Sequence, residues 1–155
     1  MQNNEISMRG KDMYIFLDID GVLNKQADWK KPYSLNPQNI KAFGDAFAEM
    51  RPIIILISTW KNGFILSGNS SNSPQIKELE KSLSGYGLRI AGKTEGQSRE
   101  KGINDFLKKH PGDYIILDDD LSEYNKKPDN LYLVDFKTGL TGKDAAKIKK
   151  IIERM

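Results

Sequence analysis

Four short apolar runs punctuate an otherwise polar chain: MYIFLD from Met13, IIILIS from Ile53, YIILDD from Tyr114 and LYLVD from Leu131. Each is rich in Ile, Val, Leu or Tyr and lacks polar alternation, the pattern of strands buried on both faces of a parallel sheet. Segments of helical period lie between them. Asn36-Pro37 supplies an N-cap and a proline at the first helical position; Ile40, Phe43, Phe47 and Met50 then recur on one face until Pro52 stops the helix. Ser73-Pro74 repeats that start, with Ile76, Leu79 and Leu83 as the stripe and Gly85 as the stop. Ser98 caps a third helix carrying Ile103, Phe106 and Leu107, ended by Pro111-Gly112. Thr141 and Asp144 form a capping box, with Asp where Glu is usual, ahead of a helix whose Ala145, Ile148, Ile151 and Ile152 face inward.

Strands and helices in this rhythm predict an α/β fold with a mainly parallel sheet. In such sheets the ligand crevice opens beyond the carboxyl ends of the strands. Residues 1–12 read as a polar lead-in, and residues 13–155 as one domain. The stretch between the first strand and Asn36, and the one between Ser58 and Lys101, are each too small for a folded cap, so the crevice is expected to be open. The loop NGFILSGNSSN reads as polar and mobile.

Composition narrows the field. The sequence has no cysteine, which removes disulfide partners, thiolate metal sites and a cysteine nucleophile. No apolar run approaches the roughly 18 residues of a membrane span, and the start lacks a secretory signal core, so no membrane partner and a cytoplasmic location are expected. The net charge of +3 (24 Lys+Arg against 21 Asp+Glu) suits an anionic ligand without identifying one. Nothing in the sequence sets the oligomeric state.

The chemistry concentrates at strand ends. The first strand closes on Asp18-Ile19-Asp20-Gly21 and the second on Ser58-Thr59-Trp60; Arg99 and Lys101 open the third helix, and the strand after it closes on Asp118-Asp119-Asp120. Together these supply a nucleophilic carboxylate, a second carboxylate two residues on, a hydroxyl, a cation and further metal-binding carboxylates, the inventory for phosphoryl transfer. A carboxylate attacking a phosphate dianion meets repulsion that a hard cation such as Mg²⁺ must neutralise. Asp18, Asp118, Asp119 and Asp20, the last through its backbone carbonyl, are the candidate metal ligands. Asp20 is the candidate acid and base. Ser58 and Lys101 are placed on the transferring oxygens, with Thr59 and Arg99 as substrate-binding alternatives at the same two positions. A calcium loop counted from Asp18 would need Glu at its twelfth position and meets Trp29 instead. A phosphorylated receiver domain needs a different motif order. Trp29, Tyr33 and Trp60 follow the first two motifs and either line the site mouth or cover the edge of the core.

FLDIDGVLN, IIILIS, KGINDFL and YIILDDD, in that order, resemble the four motifs of the haloacid dehalogenase superfamily of aspartate-nucleophile phosphatases, from Tyr14 to the final helix. Together with VDFKTGLT, they resemble more narrowly its small capless branch, found as a domain of multi-domain RNA-repair proteins. The resemblance implies a Rossmann-like three-layer sandwich, Mg²⁺ dependence, Asp18 as nucleophile and Asp20 as acid/base. It implies a phosphorylated substrate, with nucleic-acid 3′-phosphate ends as one class. A small nucleotide or sugar phosphate, and a catalytically silent phosphate- or RNA-binding module, are the alternatives.

Overall fold

The computed structural model describes residues 13–50, 52–65 and 72–155. The lead-in and most of the NGFILSGNSSN loop lie outside the described residues. The elements run β1 (Met13–Leu17), α1 (Pro37–Phe47), β2 (Ile53–Leu56), α2 (Pro74–Ser84), β3 (Ile90–Lys93), α3 (Arg99–Lys109), β4 (Asp113–Asp118), β5 (Leu131–Leu133) and α4 (Gly142–Glu153), with 3-10 turns at Gln26–Lys30, Thr59–Gly63 and Leu121–Glu123.

The strands form one parallel sheet in the order β3-β2-β1-β4-β5. β1 is central, and the chain winds from it first toward β3 and then toward β5. Side-chain alternation sends Ile15 and Leu17 to one face, where they pack with Phe43, Phe47, Leu79 and Ile148 of α1, α2 and α4. It sends Tyr14 and Phe16 to the other, against Ile103 and Phe106 of α3. Both faces are therefore covered, which is why the strands show no polar alternation.

The helix starts form as their sequences dictate. Asn36 Oδ1 accepts from Gln38 N at 2.9 Å, Ser73 Oγ from Ile76 N at 3.2 Å and Ser98 Oγ from Lys101 N at 3.1 Å. The Thr141–Asp144 box closes in both directions, at 3.2 Å and 2.8 Å. One stop differs from expectation. Gly85 is the C-cap of α2 but keeps right-handed helical torsions, and the left-handed residue that turns the chain toward β3 is Gly87, at φ +74°. The helix overruns its first glycine because Leu88 N bonds back to Leu83 O at 3.1 Å, and that closure needs two more residues.

Among the described residues, no second folded unit stands over the carboxyl ends of the strands. Between β1 and α1 there is one 3-10 turn, and between β2 and β3 one such turn and α2.

Candidate functional site

Sheet register assembles the site. Leu17 pairs with Leu117 on one side and Leu56 on the other, so the next residues, Asp18 and Asp118, leave adjacent strands at the same level. Asp18 N donates to Leu117 O at 3.0 Å, extending the ladder by one rung. Asp18 and Asp118 are both buried, and with Asp119 they bring carboxylate oxygens within 4.8 Å of one another.

Three acidic groups this close need positive charge. Arg99, at the first turn of α3, supplies it: its Nη1 lies 2.9 Å from both oxygens of Asp118, and its Nη2 lies 3.4 Å from Asp18 Oδ1. Glu123 Oε1 stands 3.9 Å from Arg99 Nε. One guanidinium is not enough. Burial and the neighbouring Asp118 push the Asp18 carboxyl well above the usual range, and Arg99 only partly opposes them. Burial, with Asp118 adding to it, also raises Asp119. Arg99 itself is driven upward by Asp18 and Asp118 against the cost of its burial.

The carboxylates have different freedom. Asp118 is saturated: besides Arg99 it accepts from Tyr124 Oη at 2.7 Å and Asp120 N at 3.0 Å. Asp18 and Asp119 face the pocket above it. The Asp119 carboxylate occupies the space a side chain on Gly21 would take, since a Cβ there would stand 2.2 Å from Asp119 Oδ2. Gly21 also has φ +87°, so the glycine that follows Asp18 and Asp20 serves both the turn and the Asp119 carboxylate beside it. An all-oxygen donor set with a surplus of negative charge could hold a hard divalent cation.

Asp20 is exposed at the pocket rim, yet its orientation is set. Asn24 Nδ2 donates to Oδ1 at 2.9 Å and Trp60 Nε1 to Oδ2 at 3.3 Å. Asn24, itself buried, also accepts from Gly21 N and Trp29 Nε1, both at 2.8 Å, and donates to Ser34 O. On the β2 side, Ser58 Oγ caps the 3-10 turn by accepting from Trp60 N at 3.3 Å. Its hydroxyl proton has no acceptor among the described residues.

One pocket of about 430 Å³ is thus lined by Asp18, Asp20, Ser58, Thr59, Arg99 and Asp119. Asp118 sits beneath it and holds Arg99. Lys101 is not brought there. Its Nζ pairs with Asp105 at 2.7 Å on the exposed side of α3, so Arg99 is the cation at the carboxylates. The reason is helical geometry: two residues along a helix turn through about 200°, which puts Arg99 and Lys101 on opposite faces. The signal was in the sequence. Arg99 continues the Ile103–Phe106 stripe at i+4 and i+7, whereas Lys101 belongs with Asp105 and Lys108.

Sequence reasoning did not single out Asn24, Tyr124 or Lys61. Asn24 and Tyr124 show only through the carboxylates they hold. Lys61 is a buried lysine whose Nζ donates to Gly96 O at 2.7 Å and Thr94 Oγ1 at 3.2 Å; burial lowers its pKa. A lysine inside a run after a strand end carries no mark that separates it from a surface lysine.

A family model described as the HAD domain in Swiss Army Knife RNA repair proteins matches residues 14–145, which is most of the chain. No curated protein and no solved structure matches.

Proposed function

Because the chain belongs to the family of HAD domains in Swiss Army Knife RNA repair proteins, we propose that it is a Mg²⁺-dependent phosphomonoesterase acting through an aspartyl-phosphate, with 3′-phosphate ends of nucleic acids as substrate. The observation that carries this reading is the meeting of Asp18, Asp20, Arg99, Ser58 and Asp119 around one open pocket. An uncapped crevice admits a polymer end as readily as a small molecule.

Asp18 is the nucleophile. Its carboxylate oxygen forms a bond to phosphorus as the bond to the leaving oxygen breaks, and Asp20 delivers a proton to that oxygen. Asp20 then takes a proton from the water whose oxygen attacks the aspartyl-phosphate, which restores Asp18 and releases inorganic phosphate. Asn24 and Trp60 keep the Asp20 plane fixed through both steps. Ser58 donates its free hydroxyl proton to a transferring oxygen, and the guanidinium of Arg99 faces the charge on the others. Asp18 and Asp119 would hold the Mg²⁺, which when bound supplies the positive charge that keeps both carboxylates ionised beside a phosphate dianion.

Release of phosphate from an aryl phosphate and from a 3′-phosphorylated oligonucleotide tests the reading, each with Mg²⁺ and with chelator. Chelation is expected to cut the rate on the order of 10³-fold. A folded, Mg²⁺-binding chain that turns over neither substrate would favour a silent phosphate-binding module.

Metal binding has a separate thermal readout. Asp18 and Asp119 have raised pKa values in the folded chain, so without metal their ionisation makes stability fall as pH rises above the ordinary carboxylate range. Mg²⁺ competes with those protons. Saturating Mg²⁺ is expected to raise the melting temperature by about 5 °C at pH 7.5 and by clearly less at pH 5.5. A shift that is equal at both pH values would remove the carboxylates from the binding site.

A further inference from the structure

A second cleft, of about 420 Å³, opens beside the carboxylate pocket and shares Asp20, Trp29 and Thr59 with it. Its walls are Trp29, Tyr33 and Trp60, with Lys31 at the edge. We propose that this cleft is the leaving-group subsite and that it takes a nucleobase, so that the substrate is a base-bearing phosphomonoester. This rests on the phosphatase reading.

Asp20 stands between the two cavities, so a group attached to the oxygen that Asp20 protonates would enter the aromatic cleft while its phosphoryl group faces Asp18. The size lies within the roughly 300–1,000 Å³ usual for small-molecule pockets.

Trp60 Nε1 donates to Asp20 at 3.3 Å, and Trp29 Nε1 reaches the same carboxylate through Asn24. Both indoles are therefore locked to the acid/base group. Trp29 stacks on Phe136, with centroids 6.0 Å apart and planes at 23°, while Tyr33 meets Trp60 edge-on at 5.3 Å. Only Trp60 is buried as core. Trp29 is 41% exposed and Tyr33 56% exposed. Tyr33 also has φ +60°, a left-handed conformation that costs a bulky side chain. A ring that merely covered the core would be neither so exposed nor held in strain.

Lys31 lines this cleft and not the carboxylate pocket, with Asp20 the one other charged residue in its wall. Stacking platforms beside a cation suit a base on a phosphodiester strand or a free nucleotide; a sugar phosphate lacks the π-face, and a phosphotyrosyl ring offers a smaller face and no phosphodiester charge for the lysine.

The sequence contains two tryptophans, and both lie in this cleft, so intrinsic fluorescence reports its occupancy. The Asp18→Asn chain with Mg²⁺, which cannot consume the probe, is titrated with adenosine 3′-monophosphate, a 3′-phosphorylated trinucleotide, ribose 5-phosphate and a phosphotyrosyl peptide. Saturable quenching by the base-bearing probes, with the sugar phosphate at least about ten-fold weaker, is the expected result. The trinucleotide against the mononucleotide tells a nucleic-acid end from a free nucleotide. Adding Tyr33→Ala should weaken the base-bearing probes about ten-fold more than ribose 5-phosphate, and Tyr33→Phe should restore them. Equal affinity for base-bearing and base-less probes, or preference for the peptide, overturns the proposal. Because binding is read without turnover, base binding by the Asp18→Asn chain together with no hydrolysis by the parent chain would sink the phosphatase reading and leave the base site standing.

Discussion

Asp18→Asn is expected to abolish phosphate release, by on the order of 10³-fold or more, in a chain that folds and melts like its parent. The substitution is close to isosteric, and it removes one of three crowded carboxylates at the ends of β1 and β4. Stability should therefore not fall; in the metal-free chain it should rise slightly, because the Asp18 charge is disfavoured where it sits. Activity lost without stability lost separates a chemical role from a structural one. Asp20→Asn is the informative companion. Its loss removes proton transfer, a contribution of about 10²–10⁴-fold. An aryl phosphate has a good leaving group and needs little acid assistance in the first step, so the Asp20→Asn chain should release one equivalent of phenol rapidly and then stall, with phosphate held on Asp18. Steady release without that burst would mean that Asp20 does not activate the water.

The contrast between Arg99→Ala and Lys101→Ala carries the second large effect. Removing the guanidinium should cost about 10²–10³-fold in kcat/KM, the usual scale for a fixed donor aimed at developing charge. Lys101→Ala should stay within about two-fold, because the Lys101 ammonium is paired with exposed Asp105 and an exposed helix pair contributes little. The metal-free Arg99→Ala chain should also lose roughly 3 kcal/mol, since Asp18 and Asp118 are then buried without their counter-charge. The pH dependence has a definite sign. Without Arg99 the Asp18 carboxyl, already raised by burial, loses the one charge that opposes the rise, so the deficit grows as pH rises and shrinks as it falls toward the ordinary carboxylate range. Denaturant melts of both variants at two pH values check this. A larger kinetic loss for Lys101→Ala would contradict the placement of Arg99.

Much of the architecture was legible from local pattern. Asn36, Ser73, Ser98 and Thr141 all cap the helices they announce, because each cap is a contact between residues two or three apart. The uninterrupted apolar runs became strands, covered on both faces at the centre of the sheet, while the edge strand β5 leaves Leu133 exposed. The first motif was equally legible, since Gly21 follows two carboxylates at a strand end. The helix stop at Gly85 was less so, because a glycine marks where a left-handed turn is easy and not which of two neighbouring glycines takes it.

What the sequence by itself determined, then, is four of the five strands, the four helices and the chemical types gathered at the strand ends, since these follow from periodicities and caps spanning a few residues; the short strand β3 and the common level at which Asp18 and Asp118 leave the sheet came from inter-strand pairing. Tertiary structure alone decided which groups act on one another. The stripe of α3 separates Arg99 from Lys101, but it is the packing of that stripe on the sheet that brings Arg99 to Asp18 and Asp118. The meeting of β4 with β1 makes Asp118 the holder of Arg99 and leaves Asp119 facing the pocket, though the two are neighbours in the chain. The close approach of the segment after β1 to the turn after β2 ties Trp60 to Asp20 across 40 residues and opens the aromatic cleft between them. Charge and hydrogen bonding act over a few ångströms, and the separations that matter here are set by register and packing between segments far apart in the chain.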